Sequence, residues 1–177
     1  MKPKDFVKKF WGDARECEIK TGLAAEAILA QAALESGWGK STPGNMFFGQ
    51  KDFDGQNGNE QLCPTWEISK KANLTAKQVG LHTITEIKPT IISGQKYFKY
   101  SGYAWFRKFD SPADCFKDHY SFFEKNSRYV KALAVRQNAE RFVEEIAKAG
   151  YASDPNYATV LKSIIKTIRN EVESQKL

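Results

Sequence analysis

The sequence predicts an α+β fold, predominantly α, and three observations carry that prediction. Toward both ends of the 177-residue chain, apolar residues recur at three- and four-residue spacings, the pattern of amphipathic helices. The middle, about residues 50–109, instead holds short alternating runs broken by glycines at 55, 58, 80, 94 and 102, the pattern of strands and turns. No internal repeat or low-complexity linker separates these regions. The expected architecture is one domain over residues 1–177, a helical body carrying a β-containing insertion.

The first helix is expected over about residues 4–21, where Phe6, Val7, Phe10, Trp11 and Ala14 form one stripe and Gly22 stops it. The second, over about residues 24–36, is rich in alanine and closes on Gly37-Trp38-Gly39. In the insertion, "QLCPTWEIS" alternates Leu62, Pro64, Trp66 and Ile68 against Cys63, Thr65, Glu67 and Ser69, the period of a strand. "NLTAKQVG" suggests a helical turn, and "TIISGQKYFKY" reads as two strands joined at Ser93-Gly94. Ser111 and Pro112 then open a helix with Phe116, Tyr120 and Phe123 on one face. Asn138 caps another, with Phe142, Ile146 and Ala149 inward. The last is expected to start at Asp154-Pro155, with Tyr157, Leu161, Ile164 and Ile168 inward and Lys162, Lys166 and Arg169 outward.

Composition narrows the class. An apolar fraction of 41% with 27% charged residues belongs to a globular chain and not a disordered one. A chain of this length buries roughly 70% of its unfolded surface, so it needs no disulfide or metal to fold. The net charge of +6 suits a polyanionic partner without selecting one. Cys17, Cys63 and Cys115 are odd in number and lack metal-ligand spacing, which argues against a disulfide framework or zinc site. His82 and His119 have no partner at ligand spacing, so neither a metal nor a cofactor is implied. The N-terminus has no apolar segment of signal-peptide type, and no run is long enough to span a bilayer. The expectation is a protein made in the cytoplasm without a signal, with no membrane insertion.

One residue breaks a helix rule. Glu35 falls in the last turn of the second helix, where unpaired carbonyls favour a cation over an acid. It could pair with Lys40 or Arg15 at the surface, as most helical glutamates do. Alternatively, the helix end and apolar cover from Trp38 would both raise its pKa, as a general acid requires.

Five blocks decide between these readings: "AQAALESGWGKS", "GNMFFGQK", "FRKFDSPADCFKDHYSFF", "RYVKAL" and "AGYASDPNYATVL". In this order, over about residues 6–168, they resemble the glucosaminidase domain of glycoside hydrolase family 73. That family includes bacterial autolysins, the hydrolase domain of a flagellar rod protein and phage lysins. The resemblance implies a lysozyme-like fold, with a helical lobe and a small β-hairpin lobe flanking a glycan cleft. It implies cleavage of the β-1,4 bond after N-acetylglucosamine in peptidoglycan, with Glu35 as general acid. Tyr151, in "AGYASDP", would help to hold the reacting sugar or the attacking group. Phe48 and Gln50, in the stretch matching the family's FGxK, would stack on and hydrogen-bond a sugar, and Trp38 joins them as a substrate-binding residue. The chain departs from the pattern at Met46, where the family usually has Asn; Asn45 lies one residue earlier.

Glycoside hydrolysis usually needs a second carboxylate, as base or nucleophile. The family carries it in a threonine-rich strand after FGxK, and two residues compete. Glu67 lies sixteen residues after Lys51, on the strand face away from Leu62, Trp66 and Ile68. Glu86 follows Thr85 but lies thirty-five residues after Lys51. Position favours Glu67.

The expected protein is therefore an endo-β-N-acetylglucosaminidase, a monomer acting on bacterial cell-wall peptidoglycan after release, as a phage endolysin or a lone toxin domain would. A muramidase or lytic transglycosylase acting on the neighbouring bond is the nearest rival. A second rival, a non-catalytic glycan- or nucleic-acid-binding module, rests on "KYFKYSGYAWFRKF", where basic residues interleave with aromatics. The enzyme reading expects no nucleic-acid partner.

Overall fold

The computed structural model describes residues 1–52 and 58–177. Gly55, one of the glycines marking the insertion, lies outside the described residues. The chain forms two compact units, Met1–Phe48 with Phe109–Leu177, and Gly49–Lys108. Together they make an α+β, predominantly α, lysozyme-like fold.

The first unit holds helices α1 (Pro3–Thr21), α2 (Ala25–Glu35), α3 (Pro112–Glu124), α4 (Val130–Ala134), α5 (Ala139–Lys148) and α6 (Tyr157–Gln175). Helix α2 is central. Ala25, Ala27, Ile28, Leu29, Ala30, Gln31, Ala32 and Ala33 are all buried, and α1, α5 and α6 pack around it. A helix buried on every side must be apolar on every side, and alanine lets its neighbours approach closely. Edge-to-face aromatic pairs tie the unit together: Phe6 to Phe10 (5.0 Å), Phe10 to Phe47 (5.1 Å) and Phe47 to Phe116 (5.2 Å). Phe47 is thereby locked onto α1 and α3, which holds the adjacent Phe48 in place.

The capping signals act as the sequence indicates. Ser111 Oγ accepts the Asp114 N–H (3.1 Å), and Asn138 Oδ1 accepts the Arg141 N–H (3.0 Å). Helix α6 starts at Tyr157, later than expected from Asp154-Pro155. Asp154 Oδ1 accepts the Asn156 N–H (2.8 Å), and this side-chain turn carries the chain into the helix. One position shifts within α6: Ile165 is fully buried, whereas Ile164 is only partly so.

The second unit is a three-stranded antiparallel sheet in the order β1-β3-β2, with β1 (Glu60–Ser69), β2 (Thr83–Ile92) and β3 (Gln95–Arg107). The hairpin turns at Ser93-Gly94, both at positive φ as a tight two-residue turn demands. "NLTAKQVG" contains a 3-10 turn at Lys77–Val79. Gly102 faces β2 so closely that a Cβ would stand 1.9 Å from the Thr83 carbonyl oxygen. A register shift between Ile84 and Glu86 follows at once. The alternation read in β1 is present, but the mostly apolar side, Leu62, Pro64 and Trp66, is the exposed one. The loop after β1 covers the other side: buried Tyr100 donates its hydroxyl to the Lys71 carbonyl (2.8 Å) and accepts the Leu74 N–H (3.2 Å). Among the described residues, no helix is long and apolar enough to cross a membrane.

Candidate active site

Glu35 is the last residue of α2 because the chain then turns left-handed. Gly37, Trp38 and Gly39 have φ of 58°, 58° and 68° in succession. For tryptophan that conformation costs on the order of 1 kcal/mol or more, and the surroundings hold it. The Trp38 N–H donates to the Ala33 carbonyl (2.7 Å), and its ring stands edge-on to Phe6 at 5.5 Å. A Cβ on Gly39 would lie 3.2 Å from the Phe6 ring, so this turn is fitted against α1.

The carboxylate itself meets residues from far along the chain. Gln31, one turn earlier on α2, donates from Nε2 to Tyr157 Oη (3.2 Å), and Tyr157 Oη donates to Glu35 Oε1 (3.5 Å). Glu35 is open to solvent along one side, yet its carboxyl is raised above the usual range. Burial is the larger cause, and the hydrogen bond from Tyr157 opposes it. Trp38, expected to supply that apolar cover, has its ring against Phe6, and the polar contact comes from Tyr157.

Tyr151 follows the C-terminal end of α5, where its N–H donates to the Ile146 carbonyl (3.0 Å). Its ring lies 5.5 Å from that of Tyr157, and its hydroxyl is 3.4 Å from His119 Nε2. Burial pushes both tyrosine hydroxyls far above their ordinary range, and the negative charge of Glu35 adds to the effect. Each therefore serves as a neutral hydroxyl and not as a phenolate base. His119 is buried and stacks on Phe48 with centroids 3.7 Å apart. Burial pushes its pKa down to about 3, so it stays neutral. The helical unit thus brings Glu35, Tyr151 and Phe48 into one connected set and adds Gln31, Tyr157 and His119, which motif reading did not place there. A signal for Gln31 existed: an amide four residues before Glu35, on a helix otherwise apolar, needs a buried partner. Asn45, displaced from the family position, donates to the carbonyls of Phe109 (2.9 Å) and Asp110 (3.2 Å).

In the β unit, the two competing glutamates pair with adjacent residues of β3, Glu67 with Tyr100 and Glu86 with Ser101. They therefore point to opposite faces of the sheet. Glu67 forms an ion pair with Lys51, whose ammonium also donates to the Gly80 carbonyl (3.2 Å). Lys51, the lysine of the "FFGQK" stretch, thus fixes this carboxylate. Glu86 is exposed and pairs with Lys88 (2.8 Å). Gln50 accepts the Arg107 N–H on its backbone carbonyl (2.9 Å), which ties the start of the unit to the end of β3. The aromatics of "KYFKYSGYAWFRKF" do not form one stripe, because Tyr100 and Phe106 are buried while Tyr103 is exposed. Among the described residues, no group of three His, Cys, Asp or Glu side chains could hold a metal ion.

The helical unit thus offers a carboxyl raised above its ordinary range with neutral hydroxyls beside it, and the β unit, taken by itself, a carboxylate held by a lysine. Known proteins resemble the chain over most of its length. The Glucosaminidase family model, described as mannosyl-glycoprotein endo-beta-N-acetylglucosaminidase, matches residues 11–170. The peptidoglycan hydrolase FlgJ of Pseudomonas aeruginosa is 30% identical over 167 residues, 93% of this chain and 36% of that protein. FlgJ of Salmonella typhimurium is 32% identical over 166 residues, 94% of this chain and 46% of that protein. The chain therefore spans between about a third and a half of the length of these relatives. The solved glycoside hydrolase domain of Salmonella typhimurium FlgJ superposes with a TM-score of 0.68 at 26% identity, covering 99% of this chain and 94% of that one. The catalytic domain of the autolysin Auto from Listeria monocytogenes shares the fold, with a TM-score of 0.68 at 23% identity over 97% of this chain and 86% of its own. The chain belongs to the glucosaminidase family and is a glycoside hydrolase domain.

Proposed function

We propose that this domain hydrolyses peptidoglycan at the β-1,4 bond after N-acetylglucosamine, with Glu35 as general acid. The observation that carries the reading is the Glu35 carboxyl, raised by burial at the end of a rigid central helix and restrained by Tyr157. Glu35 gives its proton to the glycosidic oxygen as the bond to C1 breaks, so that the leaving sugar departs as an alcohol. Glu67 is the second carboxylate. It activates the incoming water or steadies the positive charge that develops at C1. Its hold on Lys51 favours it over Glu86, whose carboxylate lies on the solvent-exposed face and pairs with a neighbouring surface lysine. Tyr151, kept neutral, donates a hydrogen bond to the reacting sugar or the attacking water. Phe48, Gln50 and Trp38 are the contacts we assign to the glycan. The names of the FlgJ relatives support the polymer as substrate, and the chain's net charge of +6 suits an anionic wall.

The bond is identified by its products. Digestion of purified sacculi followed by mass spectrometry is expected to give reducing N-acetylglucosamine ends. Reducing muramic acid ends would assign a muramidase instead, and 1,6-anhydro ends a lytic transglycosylase. Either result overturns the proposal.

A further inference from the structure

The β unit carries a surface that the catalytic reading does not use. On the sheet face opposite Glu67, Leu62, Pro64 and Trp66 stand across from Trp105, Tyr103 and Ser101. Trp66 is 56% exposed, Leu62 43% and Tyr103 40%. Large apolar side chains gathered on one sheet face usually meet a partner. Between them lies a depression of about 470 Å³, lined among others by Pro64, Trp66, Thr85, Ser101 and Tyr103.

We infer that this face binds the glycan of the wall as a second contact, separate from the face that holds Glu67; the inference rests on the function proposed above. Its chemistry matches a sugar on both counts. A pyranose ring presents an apolar C–H face, which lies on an aromatic ring, and a polar edge, which needs hydroxyl partners. Trp66 and Tyr103 supply the rings, and Thr85, Ser101 and the Tyr103 phenol supply hydroxyls at the same depression. Charge complements the polymer, although Glu86, paired with Lys88, lies on this face too. Lys99 holds its ammonium 5.0 Å from the centre of the Trp66 ring. Residues 49–108 contain nine Lys and Arg against five Asp and Glu, which makes them the source of four of the chain's six net positive charges. Peptidoglycan bears free carboxylates on its peptide stems, so cations beside a sugar platform complement it. A hydrolase of an insoluble polymer also gains from a second grip, because the next bond is then cleaved at a high local concentration.

The test separates grip from chemistry. Binding to purified sacculi is measured by co-sedimentation in the Glu35→Gln background, so that no substrate is consumed. Adding Trp66→Ala or Tyr103→Ala is expected to weaken binding by at least about fivefold, the loss of a stacking contact of ~1 kcal/mol. Trp66→Phe is expected to restore most of it, which a folding defect would not allow. Soluble N-acetylglucosamine oligomers are expected to compete with sacculi for the parent protein. Sedimentation of the alanine variants like their parent overturns the inference, as does a Trp66-dependent binding that the oligomers fail to compete. A wild-type chain that releases no glycan fragments from sacculi sinks the catalytic proposal instead. One that releases them while Trp66→Ala sediments like its parent sinks this inference alone.

Discussion

Tyr157→Phe removes a single oxygen, and the structure says what two neighbours lose. Gln31 Nε2 loses its acceptor in a fully buried position, and Glu35 Oε1 loses its donor. A buried polar group left without a partner costs about 1–3 kcal/mol. For a chain of this size, that lowers the melting temperature by roughly 2–4 °C per kcal/mol. Gln31→Met with Tyr157→Phe removes both ends of the first bond, so the double variant is expected to recover most of the loss. The second consequence is chemical. The Tyr157 hydroxyl stabilises the ionised form of Glu35, so its removal raises the Glu35 pKa further. The proton donor then survives to higher pH, and the alkaline limb of the kcat/KM profile moves upward. Thermal melts of the four proteins in the cycle and pH–rate profiles of the wild type and Tyr157→Phe check both points. An alkaline limb that stays in place or moves down refutes the coupling of Tyr157 to the acid. A double variant as unstable as the sum of its parts refutes the buried-amide argument.

Four further outcomes are expected. Glu35→Gln should cut hydrolysis of sacculi by about 10²–10⁴-fold with the fold retained. Because burial raises the Glu35 carboxyl, the folded chain keeps that proton over a pH range just above the usual carboxylate value, where the unfolded chain has lost it. Stability therefore falls as pH rises through that range, and Glu35→Gln should flatten the fall in melts taken from pH 4 to 8; a steeper fall in the variant contradicts the raised pKa. His119 has the opposite sign: depressed from 6.5 to about 3 by burial, it costs stability as pH drops through that interval, at about 1.4 kcal/mol per pH unit. His119→Phe should remove that slope in acid titrations followed by circular dichroism, and an unchanged acid transition would count against a buried neutral imidazole. Gly102→Ala would push a methyl into the Thr83 carbonyl and should destabilise the β2–β3 pairing by about 2 kcal/mol or more, seen as faster amide exchange in those strands.

What could be read from the sequence was whatever depends on local period. The helices followed from 3.6-residue spacing and cap residues, and β1 from its strict alternation. The start of α6 was misplaced because an Asx turn at Asp154 competes with a helix start, and both use the same letters. Which side of β1 is covered was not legible. The answer depends on Tyr100 capturing the loop at Lys71 and Leu74, a contact between residues 26 to 29 positions apart. Glu35 was legible because "ESGWG" puts an acid against a helix stop. Its partner Tyr157 was not, since 122 residues separate them and only the packing of α6 on α2 joins them. For His119 the sequence shows only the lack of a partner at ligand spacing; its burial and its stacking on Phe48 belong to tertiary structure alone.

The rule that Glu35 breaks is also what makes it usable. An acid at a helix C-terminal end faces unpaired carbonyls, and a surface glutamate would relieve the conflict by swinging away. Here relief is limited. Helix α2 is packed by α1, α5 and α6 along its buried residues, and the left-handed turn at Gly37-Trp38-Gly39 is clamped against Phe6. The carboxyl is left with burial raising its pKa and one long hydrogen bond from Tyr157 lowering it. The two effects oppose each other, and burial prevails. The bond from Tyr157 offsets part of the rise that burial causes, so its loss moves the carboxyl further up. Gln31, buried one turn earlier on the same helix, donates to that hydroxyl and so turns its proton toward Glu35.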